Sequence, residues 1–279
     1  FGFVLKNQKE RNILMRKATS DKKSTNIIAV DRALNVMELM CQESRLMGVN
    51  EIASLLGEYQ STIYRVITTL IDRGYIFQDQ ESAKYGLGYK VYILGKSVEK
   101  TSSLIQLVKP HAFQIAKELK ETVNVGIRVP DKISQTGYNA ITILQEQGGN
   151  RTLRSTESLG KPYPCYYSGI GKVLMAFSED YDEKIIKNIS LVQHTKKSIT
   201  DPTEYIKEMH KIQKLGYAID DEENEEGLYC IACPVLNRKG IAVMALSVSG
   251  FIGHVRELGE KNVIKRLQKS CFEISQQIL

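Results

Sequence analysis

Three stretches of this 279-residue chain carry residue types at spacings that could do chemistry. Gly169-Ile170-Gly171-Lys172 has the glycine–lysine end of a loop that cradles phosphates. Such a loop needs an earlier glycine where Tyr166 stands and a magnesium-binding hydroxyl where Val173 stands, so nucleotide hydrolysis is excluded. Cys230-Ile231-Ala232-Cys233 has zinc or redox spacing, but its surroundings read as a strand. Side chains i and i+3 of a strand face opposite ways, and no second such pair exists to complete a metal site. The third stretch, Gln60 to Thr69, carries Gln60, Ser61, Thr62, Tyr64, Arg65, Thr68 and Thr69 between apolar positions, with no carboxylate before Asp72. Amides, hydroxyls and a guanidinium without acids are the groups that bind phosphates and base edges, whereas a solvated face mixes Glu with Lys.

Other chemistry finds less support. His111, His194, His210 and His254 are far apart and show no metal spacing, so neither a metal nor a cofactor is expected. A cysteine hydrolase built on Cys230 and one of these histidines is the competing reading, but no nucleophile turn or oxyanion site is recognisable, and no catalytic residue is assigned. Five scattered cysteines, an odd number, suggest reduced thiols rather than a disulfide framework.

The elements that must position the Gln60–Thr69 surface follow from periodicity. Val30, Ala33, Leu34, Met37, Met40 and Cys41 form one helical stripe; Val49, Ile52, Ala53 and Leu56 form a second, ended by Gly57. After the turn Glu58-Tyr59-Gln60, the hydroxyls of Ser61-Thr62 are expected to cap a third helix, whose buried side is Ile63, Val66, Ile67, Leu70 and Ile71. Gly74 stops it, and Tyr75–Gln78 and Lys84–Leu87 read as a hairpin around a polar turn. Three helices and a hairpin make a winged helix. Two alternatives stay open: Arg65 could pair with Asp72 or Glu58, and the module could dock a protein instead of DNA.

Charge is uneven. Residues 1–23 hold seven basic and two acidic side chains, so most of the net +6 sits in a basic leader over residues 1–25, whereas residues 24–100 hold eight basic and nine acidic. No apolar run approaches a membrane span, and no export signal marks the start, so the cytoplasm is the expected compartment. Helical patterns over Tyr89–Lys100 and Leu104–Leu119, with Pro110 setting a start or kink in the second, predict a helical linker.

Beyond the linker, Glu121–Ile127 and Ala140–Leu144 read as strands, and Asp201-Pro202-Thr203-Glu204 starts a helix ending at Gly216. A four-residue loop Asn237–Gly240 predicts a hairpin pairing Leu236 with Ile241, and hence Cys230 with Ser247 and Leu228 with Ser249. That register puts Cys230, Ala232, Ala245, Ser247 and Ser249 on one face, where small residues leave room and hydroxyls offer polar contacts. An ordinary sheet face with locally bonded serines is the alternative.

Val30-Asp31-Arg32-Ala33-Leu34, Glu51-Ile52-Ala53, Ser61-Thr62-Ile63-Tyr64-Arg65, Gly74-Tyr75-Ile76 and Tyr85-Gly86-Leu87-Gly88 together resemble the DNA-binding domain of IclR-family transcription regulators. Ser168–Lys172, Leu215–Ala218, Gly227–Pro234 and Ala245–Gly250 resemble the same family's effector-binding domain. The resemblance implies an α+β protein: a winged helix-turn-helix over residues 26–88, a linker over 89–104, and a GAF-like effector-binding domain with an antiparallel sheet over 105–279. It implies that the third helix enters the major groove of a double-stranded operator, with Arg65 foremost, and that the wing, including Lys84, meets phosphates. It carries ligand contacts onto Ser168, Gly169, Ile170, Asp220, Cys230, Ser247 and Ser249. It also implies a homodimer or dimer of dimers. An organic acid held at a helix start is the expected effector, provided that most of the acidic run Asp220–Glu226 faces solvent.

Overall fold

The computed structural model describes residues 26–130, 138–149 and 159–278; the leader expected over residues 1–25 lies outside them. The chain divides into two compact units between Thr101 and Ser102.

The first unit contains α1 (Ile28–Glu43), α2 (Val49–Leu56), α3 (Gln60–Asp72), the hairpin β1 (Ile76–Gln78) and β2 (Tyr85–Leu87), and α4 (Tyr89–Thr101). The apolar stripes converge as their spacing demands: Val36 and Met40, Ile52, and Ile63 and Ile67 share one core with Ile76 and Tyr85 of the hairpin. Gly57 closes α2 at φ 65°, a left-handed conformation that costs other residues about 1–2 kcal/mol, and its N–H bonds Ala53 and Ser54. Met47 bridges Tyr85 through two backbone bonds of 3.0 and 2.8 Å, anchoring the hairpin to the chain before α2. The expected hydroxyl cap of the third helix does not form. The Tyr59 carbonyl accepts the amides of Thr62 and Ile63, so α3 begins at Gln60 with Tyr59 as an N-cap that makes no side-chain bond. Ser61 is thereby left exposed.

The second unit starts with α5 (Ser103–Leu119), which contains Pro110, and continues through β3 (Thr122–Pro130), β4 (Tyr138–Gln147) and β5 (Pro162–Pro164). A 3-10 turn (Cys165–Tyr167), α6 (Gly169–Ala176), α7 (Glu183–Ile186), α8 (Pro202–Leu215), β6 (Ala218–Asp221), β7 (Leu228–Leu236), β8 (Ala242–Phe251), α9 (Ile252–Glu257) and α10 (Glu260–Ser275) follow. The strands form one antiparallel sheet in the order β5-β4-β3-β8-β7-β6. On one face Val123, Val125, Ile231 and Leu246 pack against α5 and α10; on the other Ala218, Ala232 and Ala245 pack with α6 and α8. The expected start of α8 is found: the Asp201 side chain accepts from the Glu204 amide at 2.9 Å, Pro202 opens the helix, and Gly216 ends it at φ 74°.

The β7–β8 register differs from the expectation. Leu236 pairs with Ala242, not Ile241, and a bulge brings Val235 opposite Met244, so Cys230 pairs with Ser249, Ala232 with Ser247 and Leu228 with Phe251. The reason lies in the turn: the Asn237 side chain accepts from the amides of Lys239 and Ile241, and its own amide bonds the Ile241 carbonyl, lengthening the loop by one residue before the bulge adds another. A shift of two preserves the faces.

Gly171 explains the glycine-rich run without any phosphate. A Cβ there would lie 2.3 Å from the Cys165 carbonyl oxygen and 2.5 Å from its Cα, so α6 can rest on the 3-10 turn only through a bare backbone. No helix among the described residues is long and apolar enough to cross a membrane. Gly171→Ala is expected to lower stability by about 1–3 kcal/mol through overpacking, read as a fall in melting temperature of several degrees; an unchanged midpoint would show that the turn yields freely.

Candidate functional site

On α3, Gln60, Ser61, Tyr64, Arg65, Thr68 and Thr69 are exposed and Thr62 is half-buried; Lys84 is exposed at the end of the wing turn. Arg65 forms no ion pair among the described residues. The acid it might have met, Glu58, is taken by Arg32 at 3.0 Å. The guanidinium therefore stands ready for a bidentate contact. Two threonines are less available than their types suggest: Thr68 Oγ1 donates to the Tyr64 carbonyl and Thr69 Oγ1 to the Arg65 carbonyl, each at 2.9 Å. Such back-bonding occupies the hydroxyl proton a phosphate would need, leaving methyl groups and lone pairs to face outward. Tyr59, 82% exposed, extends the same surface and was not among the expected residues; its place beside the helix start was hidden by the expected cap. The wing turn is braced by Asp79, which accepts from the Ser82 amide and hydroxyl at 2.8 and 2.6 Å.

In the second unit the sheet face beneath α6 carries a buried polar centre. Pairing sets Asp220 beside Cys230 and Cys230 beside Ser249; one rung along, Ala232, Ser247, Asn124 and Gln145 lie abreast. Asp220, Asn124, Ser168, Ser247, Ser249 and Cys230 are all at most 2% exposed. Above them, Ser168 caps α6 by accepting the Gly171 amide at 3.0 Å, and a Cβ on Gly169 would come within 3.4 Å of Ala232 and 3.8 Å of Cys230. Ile170 lies over Gly126, where a Cβ would meet its Cγ2 at 2.5 Å. The seven expected effector positions thus fall on this sheet face or at the start of α6 packed over it.

Lys172, wholly buried, was not expected there. Its Nζ donates to the Ile219 carbonyl and to Glu223 Oε1, both at 2.6 Å. Glu223 is held from below as well, since the Ser198 hydroxyl donates to its carbonyl at 2.7 Å. Asp220 Oδ1 accepts the amides of Glu223 and Asn224, while Asp220 Oδ2 and Glu223 Oε2 are buried with no hydrogen-bond partner among the described residues. Burial pushes the Asp220 carboxyl up to about 7, against the pull of Lys172, and raises Glu223 in the same way. Most of the acidic run keeps a solvent-facing side: Glu226 is exposed, Glu225 is half-buried, and Asp221 and Glu222 pair at the surface with Lys197, with Arg256 also on Asp221, whereas Asp220 and Glu223 are buried. Backbone amides draw Asp220 inward and Lys172 draws Glu223, which residue type alone does not signal.

The cysteines and histidines bring together no reactive pair. Cys230 and Cys233 lie on opposite faces of β7, and burial pushes the Cys165 and Cys233 thiols up to about 12. His111 lies near Glu273, His194 lies tilted against Tyr167 with ring centroids 4.5 Å apart, His210 meets Glu183, and His254 packs on Phe251. No group of three or more potential metal ligands occurs among the described residues. An open depression beside α5, lined by Gln106, Lys109, Pro110, Phe113 and Glu146, holds none of the expected residues.

Residues 29–80 match the IclR helix-turn-helix domain, and residues 96–276 match the C-terminal domain of bacterial transcriptional regulators of the IclR type. The HTH-type transcriptional regulator KdgR of Escherichia coli (strain K12) is 29% identical over 236 residues, 84% of this chain and 86% of that protein. BhcR of Paracoccus denitrificans (strain Pd 1222), also an HTH-type transcriptional regulator, is 31% identical over 228 residues, 81% and 78%. The fold matches the crystal structure of an IclR transcriptional regulator from Alicyclobacillus acidocaldarius with a TM-score of 0.79 at 23% identity, covering 90% of this chain and 98% of that one. A winged helix with an open polar recognition surface, matched in this way, makes the molecule a DNA-binding transcription regulator. The chain belongs to the IclR family.

Asp220 yields a test of the buried centre. A carboxyl raised in the folded state keeps a proton that the unfolded chain releases near pH 4, so its burden on stability grows from about pH 4 to pH 7 and is constant above. Asp220→Asn should therefore gain a few kcal/mol over the parent at pH 8 and little at pH 4.5 in denaturant titrations. An equal difference at both values would contradict a displaced titration.

Proposed function

We propose that this chain is a cytoplasmic repressor whose operator binding is set by a small organic acid held in the buried polar centre. The observation carrying the effector reading is Asp220 Oδ2, a buried oxygen lacking a partner among the described residues, in a layer already crowded with polar groups. A buried group left unpaired costs about 1–3 kcal/mol, and a ligand supplying a donor would recover it. The start of α6, with Ser168, Gly169 and Ile170, is suited to the ligand's carboxylate, since helix N-termini favour negative charge. Asp220, Cys230, Ser247 and Ser249 would line the opposite wall. Two related proteins have names that support this reading: the transcriptional repressor IclR of Escherichia coli (strain K12), and an IclR homolog from Microbacterium hydrocarbonoxydans complexed with 4-hydroxybenzoate.

In this reading residues 26–88 read DNA, 89–104 link, and 105–279 sense the effector. Gln60, Ser61, Thr62, Tyr64, Arg65, Thr68 and Thr69 enter the major groove and Lys84 meets a phosphate. No residue of α4 is buried, and Tyr89, Tyr92, Ile93 and Val98 are more than half exposed, which supports a homodimer, or a dimer of dimers, covering that helix. Two recognition helices about 34 Å apart imply a palindromic operator. Ligand binding shifts the balance of dimer arrangements, for which about 1–3 kcal/mol of coupling suffices. No catalytic step, metal or cofactor is assigned.

Arg65→Ala should weaken binding to DNA fragments enriched by the parent protein by roughly 1–3 kcal/mol per contact, with the oligomeric state unchanged; unaltered gel-shift midpoints would remove Arg65 from the reading surface. Ser247→Phe should abolish thermal stabilisation of the full chain by whichever organic acid stabilises the parent. A variant that still responds would put the ligand elsewhere.

A further inference from the structure

We propose that Asn124, clamped by Gln145, is the positioning residue that makes the wall of the effector centre a hydrogen-bond donor and so selects carboxylates over their amides. This rests on the effector site proposed above and adds residues that contribute nothing to its expected lining. Asn124 has no exposed surface, and its carboxamide lies between two partners on different strands. Gln145 Nε2 on β4 donates to Asn124 Oδ1 at 2.8 Å, and Asn124 Nδ2 donates to Ser249 Oγ on β8 at 3.2 Å. Ser249 Oγ in turn lies 3.3 Å from Ser247 Oγ.

Direction follows from the first bond. With its oxygen engaged by Gln145, Asn124 can only donate to Ser249, whose proton is then free to turn to Ser247. The Ser247 proton is then left for an acceptor outside this chain of bonds, on the sheet face where Gly169 of α6 lies over the paired Ala232. The chain of bonds runs one way, from Gln145 to the ligand, and each bond polarises the next. Two donors, this hydroxyl and the α6 amides, then face the same ligand group. A carboxylate accepts from both, whereas the NH2 of a primary amide opposes one of them.

Gln145 is only half-buried, so its substitution leaves the packing intact. In Gln145→Glu the side chain can only accept, which turns the Asn124 amide round, makes its oxygen accept the Ser249 proton, and reverses every bond downstream. Gln147→Glu, two residues along the same strand and exposed, adds the same charge without touching the chain of bonds. The probes are acetate, lactate, benzoate and 4-hydroxybenzoate, each with its primary amide, titrated into the full-length protein by calorimetry and thermal shift.

The parent should bind at least one carboxylate in preference to its amide. Gln145→Glu should lower that preference by roughly tenfold or more, the worth of one hydrogen bond to a charged group, and Gln147→Glu should leave it unchanged. An unchanged preference in Gln145→Glu, or an equal fall in both variants, overturns this inference and leaves the effector site standing. Failure of the parent to bind any of the four carboxylates overturns the organic-acid reading and this inference with it.

Discussion

A lysine ammonium with no exposed surface joins helix α6 to the edge of the sheet, and the second unit is arranged around that bond. Lys172 meets the Ile219 carbonyl on β6 and the Glu223 carboxylate in the loop after it. Taking both charges out of water is costly, and removing one partner from such a pair costs about 3–5 kcal/mol because the other is left buried and alone. The pair is therefore weak evidence for stability in itself. Its effect is on position: α6 can occupy only the place where its fourth residue reaches β6. Gly171 allows that approach at the 3-10 turn and Gly126 allows it at β3.

Once α6 is fixed, the sheet has unlike faces. One is mostly apolar, with Glu146 and Asp221 toward its margins, and is buried by α5 and α10. The other alternates small apolar residues with Asn124, Ser247, Ser249 and Asp220, all buried. An all-apolar layer of the same volume would fold at least as well, since each buried polar group has to be matched with a partner. Hydrogen bonds link Gln145, Asn124, Ser249 and Ser247 across the layer, while one oxygen each of Asp220 and Glu223 stays buried without a partner among the described residues. The loop carrying those acids is fastened by Thr195 and Ser198, whose hydroxyls donate to the carbonyls of Glu222 and Glu223.

What could be read from residues alone divides along the range of the interactions. Local signals were legible: the apolar stripes of the first three helices, Gly57 as a left-handed end, and Asp201-Pro202 as a helix start. Each depends on neighbours within one or two turns. The shared face of Cys230, Ser247 and Ser249 was also legible, although the register behind it was displaced by two, because side-chain direction in a strand depends only on parity. The bulge that displaced it leaves no residue-type signature. Asn124 could have been noticed as a polar residue between Val123 and Val125 in an apolar strand, but its partner Ser249 is 125 residues away and the β3–β8 pairing has no local signal. The buried acids were missed for the opposite reason. Their type predicts exposure, and only the three-dimensional placement of Lys172 and the backbone amides reverses it.

The two candidate sites handle solvation in opposite ways, and the proposed mechanism depends on the contrast. Arg65 is exposed and forms no ion pair among the described residues, so on the proposed reading meeting DNA costs it little beyond side-chain ordering and the release of water. The binding free energy there is dominated by what the duplex offers. At Asp220 the cost has already been incurred within the folded chain, in a desolvated oxygen without a partner among the described residues. A ligand that satisfies that oxygen recovers about 1–3 kcal/mol, available only in arrangements of the chain that keep the layer closed. That is the size of coupling free energy by which one site changes another's occupancy roughly tenfold. On the proposed reading, the unpaired burial that makes the centre expensive to fold is therefore what allows a small molecule to weigh on a DNA-binding equilibrium.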